Sequence, residues 1–134
     1  MASLERFLIV DDAPAVRLLL RRLLNKYGVN DGQIREVGDG KDVEAAMKSF
    51  RPTVVLMDME MPGMGGEEAG SKVLSGGEAV RVVIVSGYDK QDPRVRRLVQ
   101  MGAFDVLTKP VHASDVERLL AQLARDEPGL GRIA

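Results

Sequence analysis

Short apolar runs alternate along the chain with amphipathic stretches. The strong runs are residues 7–10, 54–57, 82–85 and 106–107, and a weaker one covers residues 34–37. Each run has the length of a strand, and strands that are buried on both faces of a parallel sheet appear in sequence as continuous apolar runs. The pattern therefore predicts a parallel sheet, with helices in the connections between its strands.

The connections carry apolar residues at helical spacing, together with signals for the start and the end of a helix. In the first connection, Pro14 suits a first helical turn and Gly28 suits a stop at the C-terminus. The same spacing recurs after Asp39, after Asp92 and after Ser114. The stripe predicted to be buried on the first helix consists of Val16, Leu19, Leu20, Leu23, Leu24 and Tyr27.

The third and fifth helices are predicted from weaker and stronger signals, respectively. Residues 65–75 occupy the place of the third helix in the alternation, although their glycines lower the helix propensity. Ser114 and Glu117 have the spacing of a capping box, which marks a helix start. Five strand-and-helix units predict a doubly wound α/β domain, with a five-stranded parallel sheet and helices on both faces.

Length and composition fit a single globular domain. The chain has 134 residues, of which 45% are hydrophobic and 29% charged, and its net charge is -1. Because it lacks a basic excess, we expect no direct binding of nucleic acid by this domain. It has no cysteine, which suits a reducing cytoplasm, and no apolar run approaches the roughly 20 residues of a membrane span. We therefore expect a cytoplasmic location and no membrane contact.

The predicted domain covers residues 4–126. Residues 127–134 are expected to form a C-terminal tail or the start of a linker. Pro128, Gly129 and Gly131 break the helical pattern there, so the chain is predicted to fray from Asp126 onwards.

Polar residues follow the strong strands, at the point where each strand ends. Asp11 and Asp12 follow the first, Asp58 the third, Ser86 the fourth and Lys109 the fifth. In a doubly wound sheet, reactive groups lie beyond the carboxyl ends of the strands, at the switch point of the strand order. Converging carboxylates repel one another and call for a cation. Magnesium fits better than calcium, because this set supplies few oxygen ligands.

The complete set of side chains suits phosphoryl transfer to a carboxylate. Lys109 would place a positive charge beside a phosphoryl group, and Ser86 would offer a hydroxyl donor. Asp58 would be the nucleophile. Any one aspartate at a strand end is more often a helix cap or a turn former. The prediction therefore depends on the joint occurrence of these residues at the ends of separate strands.

Four motifs cover most of the chain and together resemble a known family. They are LIVDD at 8–12, VLMDMEMPGMGG at 55–66, IVSG at 84–87 and GAFDVLTKP at 102–110. The chain resembles the receiver domain of response regulators from two-component signalling systems, and single-domain chemotaxis regulators are similar in size. The resemblance implies a flavodoxin-like sheet with strand order 2-1-3-4-5.

The resemblance also implies roles for the acidic residues. Asp58 would accept a phosphoryl group from a phosphohistidine on a sensor kinase or phosphotransfer protein, and would become 4-aspartylphosphate. Asp12 and Asp58 would bind Mg²⁺ directly, and Asp11 would bind it mainly through water. The backbone carbonyl of Glu60 would complete the protein ligands. Such a domain is a signalling receiver that promotes its own phosphorylation and dephosphorylation, and it is not a turnover enzyme.

Further implications concern switching and partners. Lys109 would pair with the acceptor carboxylate and then with the phosphoryl group, and Ser86 would move to bond a phosphoryl oxygen. The bond before Pro110 would be cis, against a background of about 5% for such bonds. A downstream protein or a second copy would bind through the fourth helix, the fifth strand and the fifth helix.

The chain departs from the family pattern at the switch position. Val106 stands where the family usually has tyrosine or phenylalanine, so coupling through an aromatic ring is in doubt. Ser86 replaces the commoner threonine and keeps the hydroxyl. Glu60 and Tyr88 border the path of the water that would hydrolyse the phosphoryl group, and we hypothesise that they set its lifetime. Leu18 is a candidate contact for the kinase.

Two other functions compete with this one. A phosphohydrolase of the haloacid dehalogenase class also uses aspartates, a hydroxyl, a lysine and magnesium. That class, however, places its nucleophile on the first strand and usually adds a cap domain. The other competitor is an interaction module of the same fold that works without phosphorylation, and the presence of all the charged site residues weakens it.

Overall fold

The structure is a computed structural model that describes residues 5–61, 66–75 and 79–129. Its strands form one five-stranded parallel sheet in the order β2-β1-β3-β4-β5, which confirms the predicted fold class and strand order. The strands are β1 (Phe7–Val10), β2 (Ile34–Val37), β3 (Val54–Asp58), β4 (Arg81–Ser86) and β5 (Asp105–Thr108).

The helices lie on both faces of this sheet. They are α1 (Pro14–Lys26), α2 (Val43–Phe50), α3 (Gly66–Ser75), α4 (Pro93–Gln100) and α5 (Ala113–Arg125). The predicted third helix thus forms, although its first predicted residue lies outside the described ranges. Among the described residues, no helix has the length and apolar character that a membrane span requires.

Two apolar cores result, one on each face. Side chains from α1 and α5 pack on one face, including Leu20, Leu24 and Leu119. Side chains from α2, α3 and α4 pack on the other face, including Val95 and Leu98. Successive residues of a strand point to opposite faces, so each buried strand contributes to both cores. This is why β1, β3 and β4 contain unbroken apolar runs in the sequence.

The register of the strands brings the predicted site residues together. Val10 pairs with Met57, and Asp58 pairs with Val85. Asp11 and Asp58 therefore follow paired positions of β1 and β3. Ser86 pairs with Thr108 on β5, so Lys109 comes one residue later at the same edge.

The predicted stripe of α1 was wrong at one position. Leu19 is 41% exposed, beside Leu18 at 45%. Leu20 and Leu24 are buried one helical turn apart and define the side of the helix that faces the sheet. Leu19 lies beside this stripe, and with Leu18 it forms an exposed apolar pair.

The predicted capping box of the fifth helix was also wrong. The helix begins at Ala113, so His112 is the N-cap residue and Ser114 already lies inside the first turn. The backbone N–H of His112 donates to Asp115 Oδ2 at 2.9 Å. The box is therefore shifted two residues towards the N-terminus, with Asp115 in place of Glu117.

Residues 126–129 are bound to the domain and do not fray. Arg81 Nη1 donates to Asp126 Oδ1 at 3.2 Å, and the N–H of Gly129 donates to the carbonyl of Phe104 at 3.2 Å. The rest of the predicted tail lies outside the described residues. The domain limits 4–126 stay a prediction.

Candidate functional site

Three carboxylates meet at the carboxyl edge of the sheet. Asp11, Asp12 and Asp58 each offer an oxygen within 4.8 Å of the others. Asp11 and Asp58 are buried, at 1% and 2% exposed, whereas Asp12 is exposed. The cluster is thus open to solvent on one side and enclosed by protein on the other.

Lys109 lies between two of these carboxylates. Its Nζ is 3.0 Å from Asp58 Oδ1, to which it donates a hydrogen bond, and 3.3 Å from Asp11 Oδ2. Burial lowers the pKa of the Lys109 ammonium, but the hydrogen bond and charge of Asp58, with Asp11 behind it, outweigh burial and raise that pKa overall. Lys109 is therefore a fixed positive charge beside Asp58.

Burial disfavours the charged form of Asp11. Desolvation raises the pKa of its carboxyl, and the charge of Asp58 raises it further. The N–H of Ala13, which donates to Asp11 Oδ1 at 2.9 Å, and the Lys109 ammonium act in the opposite direction without cancelling the rise. The pocket therefore holds more negative charge than Lys109 neutralises.

The carboxylates also carry oxygens without hydrogen bonds. Within the described residues, neither Asp11 Oδ2 nor Asp58 Oδ2 accepts a hydrogen bond, although both are buried. The contact from Lys109 to Asp11 Oδ2 is an ion pair whose direction is not that of a hydrogen bond. Buried carboxylate oxygens of this kind are costly unless a cation coordinates them. The donor set, oxygen only, is one that Mg²⁺ prefers.

Hydrogen bonds from Glu60 and Arg17 hold the segments that carry Asp58 and Asp11 in place. The N–H of Glu60 donates to Asp58 Oδ1 at 3.1 Å. Arg17 Nη1 donates to the carbonyl of Asp11 at 2.6 Å, and Arg17 Nε donates to Glu36 Oε1 at 3.2 Å. The loop after β1 is thereby tied to β2. Arg17 was not singled out from the sequence, because it lies six residues after Asp11 and shares no motif with it.

Ser86 ends β4 as a fully buried residue. Its Oγ accepts a hydrogen bond from the N–H of Tyr88 at 2.8 Å, and its carbonyl accepts one from the N–H of Lys109 at 2.8 Å. The Lys109–Pro110 peptide bond is cis, the isomer expected from the sequence. These contacts join the fourth and fifth strand ends, which carry the hydroxyl and the ammonium.

The loop after β4 lies beside Glu60. A Cβ added to Gly87 would lie 3.2 Å from Glu60 Oε1, so the Glu60 carboxylate is close to this loop. Tyr88 packs partly against the core that contains Val106, which is itself 1% exposed. The roles predicted for Glu60, Tyr88 and Val106 stay predictions.

Comparison with known proteins agrees with this geometry. The sequence matches the response regulator receiver domain family over residues 7–123. It is 39% identical over 119 residues to protein PilH of Pseudomonas aeruginosa, covering 87% of this chain and 93% of that protein. It is 31% identical over 112 residues to sporulation initiation phosphotransferase F of Bacillus subtilis, covering 84% of this chain and 87% of that protein.

A solved structure shows the same fold at lower identity. The crystal structure of response regulator TrrA from Thermotoga maritima, in complex with Mg(2+)-BeF, matches with a TM-score of 0.76 and 21% identity, covering 90% of this chain and 99% of that one. The sheet order, the acidic cluster at the strand ends and the match along nearly the whole described chain agree. The chain belongs to the response regulator receiver domain family.

Proposed function

We propose that this receiver accepts a phosphoryl group on Asp58 from a phosphohistidine, in a Mg²⁺-dependent reaction. The observation that carries the proposal is the arrangement around Asp58. Its Oδ1 bonds to the Lys109 ammonium at 3.0 Å, and its Oδ2 lies buried without a hydrogen bond among the described residues, beside Asp11 and Asp12. A nucleophilic carboxylate flanked by a fixed cation and a candidate metal site suits phosphoryl transfer.

The chemistry follows from these groups. A carboxylate oxygen of Asp58 forms a bond to phosphorus while the phosphorus–nitrogen bond of the phosphohistidine breaks, and the imidazole nitrogen keeps that electron pair. The Lys109 ammonium stabilises the charge of the phosphoryl oxygens. The signal ends by hydrolysis: a water oxygen bonds to phosphorus, the bond from phosphorus to the Asp58 oxygen breaks, and inorganic phosphate leaves.

The metal would be held by Asp11, Asp12, Asp58 and the backbone carbonyl of Glu60, and it would neutralise phosphoryl oxygens during transfer. Support for this assignment comes from the buried carboxylate oxygens without hydrogen bonds. A protein of the same fold, TrrA, is described in complex with Mg(2+)-BeF.

Partners follow from the same proposal. The donor is a histidine kinase or a histidine phosphotransfer protein in the cytoplasm, and the exposed Leu18 contacts it. The output is a change in binding to a downstream protein or to a second copy, through α4, β5 and α5. One observation bears on the competing phosphohydrolase. That class places its nucleophile on the first strand, whereas Asp58 ends β3, and it is Asp11 and Asp12 of the candidate metal site that follow β1.

A phosphodonor assay tests the proposal. The protein is incubated with acetyl phosphate, with Mg²⁺ or with a chelator, and intact mass is recorded over time. We expect one phosphoryl group per chain, gained only with Mg²⁺ and lost slowly afterwards. Repeated hydrolysis of phosphate esters would favour the phosphohydrolase, and failure to label in the presence of Mg²⁺ would favour the interaction module.

A further inference from the structure

The loop between β4 and α4 is joined to the candidate site through one hydroxyl group. Ser86 Oγ accepts the N–H of Tyr88 at 2.8 Å. In the proposed function the same hydroxyl turns to donate to a phosphoryl oxygen. A hydroxyl can donate and accept at once, so the step that matters is displacement of the Ser86 Oγ towards the phosphoryl group. This displacement would lengthen the bond from the Tyr88 N–H, and phosphorylation would thereby release the backbone of the loop at Tyr88.

The side chain of Tyr88 joins this loop to α4. The Arg94 guanidinium lies over the Tyr88 ring, with its central carbon 3.6 Å from the ring centroid. Distances below about 6 Å allow a cation–π interaction, and a guanidinium can also stack on the ring. A movement of Tyr88 therefore changes the surroundings of Arg94, which lies in the first turn of α4.

Arg94 is in turn fixed to the start of its helix. Its Nε and Nη2 donate to the two carboxylate oxygens of Asp92 at 3.0 and 2.9 Å. Asp92 is also the N-cap residue, and its Oδ1 accepts the N–H of Arg94 at 2.9 Å. These hydrogen bonds to Asp92 set the orientation of the guanidinium, and the Tyr88 ring packs against it.

The position usually responsible for coupling has no ring in this chain. Val106 is buried in the core beneath α4, together with Val95, Leu98 and Ala103. A valine side chain is short and stiff at χ1, so it has little room to move in response to Ser86. A different route from the site to α4 is available in the contacts of Tyr88.

We propose that Arg94 is a positioning residue that holds Tyr88 against the start of α4, and so carries the response of the phosphoryl site to that helix. The route runs from Ser86 through the backbone and ring of Tyr88 to Arg94 and Asp92. It rests on the proposed function, because the event that starts it is occupation of Asp58 by a phosphoryl group.

Amide NMR shifts of α4 test this proposal. ¹⁵N-labelled protein is compared with and without Mg²⁺ and beryllofluoride, a phosphoryl mimic, for wild type, Arg94→Ala and Arg96→Ala. Arg96 is the matched control, since it is exposed on the same helix and its guanidinium donates a hydrogen bond to Gln91 Oε1 at 2.6 Å. Loss of an exposed cation–π contact should change the ratio of the two arrangements of the β4–α4 loop, with Tyr88 held or released, about two- to five-fold.

We expect the mimic to shift the amides of Ser86 and Lys109 in all three proteins. The shifts of α4 amides should shrink in Arg94→Ala and stay in Arg96→Ala. Tyr88→Phe should keep them and Tyr88→Leu should reduce them. Arg94→Lys should restore them in part, because an ammonium can make a cation–π contact with the ring but neither stacks on it nor forms the fork to Asp92.

The outcomes separate the two proposals. If wild type responds at Ser86 and α4, and Arg94→Ala gives the same α4 shifts, the coupling through Arg94 is wrong and the proposed function stands. If Arg94→Lys behaves as Arg94→Ala and Tyr88→Leu behaves as wild type, the coupling is also wrong. If wild type shows no response at Ser86 or Lys109, the proposed function fails and the coupling fails with it.

Discussion

Lys109 Nζ lies 3.0 Å from Asp58 Oδ1, across the ends of two strands that are not neighbours in the sheet. β4 separates β3 from β5, so the long side chain of Lys109 must reach past Ser86 to make this contact. The contact fixes the charge of the site before any phosphoryl group is present. The contribution of Lys109 to phosphorylation can be tested by substitution.

Substitution of Lys109 should impair phosphorylation. Lys109→Ala removes the cation beside Asp58, and loss of one such stabilising group costs about 10²- to 10³-fold in rate. The rate of labelling by acetyl phosphate in Mg²⁺ measures the effect. Lys48→Ala is the matched control, since its ion pair with Glu44 at 3.5 Å is exposed. Equal rates for Lys109→Ala and wild type would contradict the role of Lys109.

Asp11 should destabilise the metal-free protein. Its carboxyl pKa is raised, chiefly by burial. Because folding raises this pKa, the protonated carboxyl favours the folded state. That stabilisation is fully present below the usual pKa of 3.8 and is lost as pH rises through the pKa of the folded state. Each unit of elevation corresponds to about 1.4 kcal/mol. Asp11→Asn should therefore raise the Tm of the metal-free protein at neutral pH.

The same substitution should remove most of the stabilisation by Mg²⁺. Wild type should gain Tm on addition of Mg²⁺. It should also release protons on binding the ion at a pH low enough for Asp11 to be partly protonated, because protons then compete with the metal for this carboxyl. Thermal unfolding and calorimetry in two buffers of different ionisation enthalpy measure both effects. A Tm gain in Asp11→Asn as large as in wild type would show that the metal binds elsewhere.

The Asp92 carboxylate should titrate at unusually low pH. Hydrogen bonds from Arg94 lower its pKa to about 2, from an ordinary value of 3.8. A lowered pKa means that the ion pair persists above this value and is lost as pH falls through about 2. Carboxyl ¹³C NMR of wild type and Arg94→Ala measures it. A midpoint that is equal in the two proteins would contradict the contact.

Glu60 and Tyr88 should set the lifetime of the phosphoryl group. Glu60 Oε1 lies close to Gly87, and Tyr88 follows Gly87 directly in the chain. We therefore expect both side chains to border the path of water to Asp58. Glu60→Ala and Tyr88→Ala should each change the decay rate of phosphorylated protein, while Glu44→Ala on α2 should not. Unchanged decay in both variants would disprove the hypothesis.

The sequence predicted the strands and the convergence of the site residues, but not every buried position of the helices. Strand limits were predicted to within one residue, because most of the strands are short apolar runs with polar residues at their ends. The convergence of Asp11, Asp58 and Lys109 followed from the rule for strand ends in doubly wound sheets. The exposure of Leu19 was missed, since the stripe of α1 is narrower than the run of leucines.

Contacts between side chains could not be predicted in the same way. Periodicity gives the face of a helix on which a residue lies, but not the rotamer of a long side chain. The stacking of Arg94 on Tyr88 therefore has no sequence signal, although Tyr88 itself was singled out for its position near the candidate site. The helix start predicted from Ser114 and Glu117 differs by two residues from the observed one, because His112 and Asp115 have the same spacing and form the capping box.

The central claim is that Asp58 is the residue that carries the phosphoryl group. Wild type and Asp58→Asn are treated with acetyl phosphate and Mg²⁺, reduced with borohydride, and mapped by peptide mass spectrometry. Reduction converts an aspartyl phosphate to homoserine, which marks its position permanently. We predict homoserine at position 58 in wild type and none in Asp58→Asn. Homoserine at another aspartate in wild type, with none at position 58, would contradict the account.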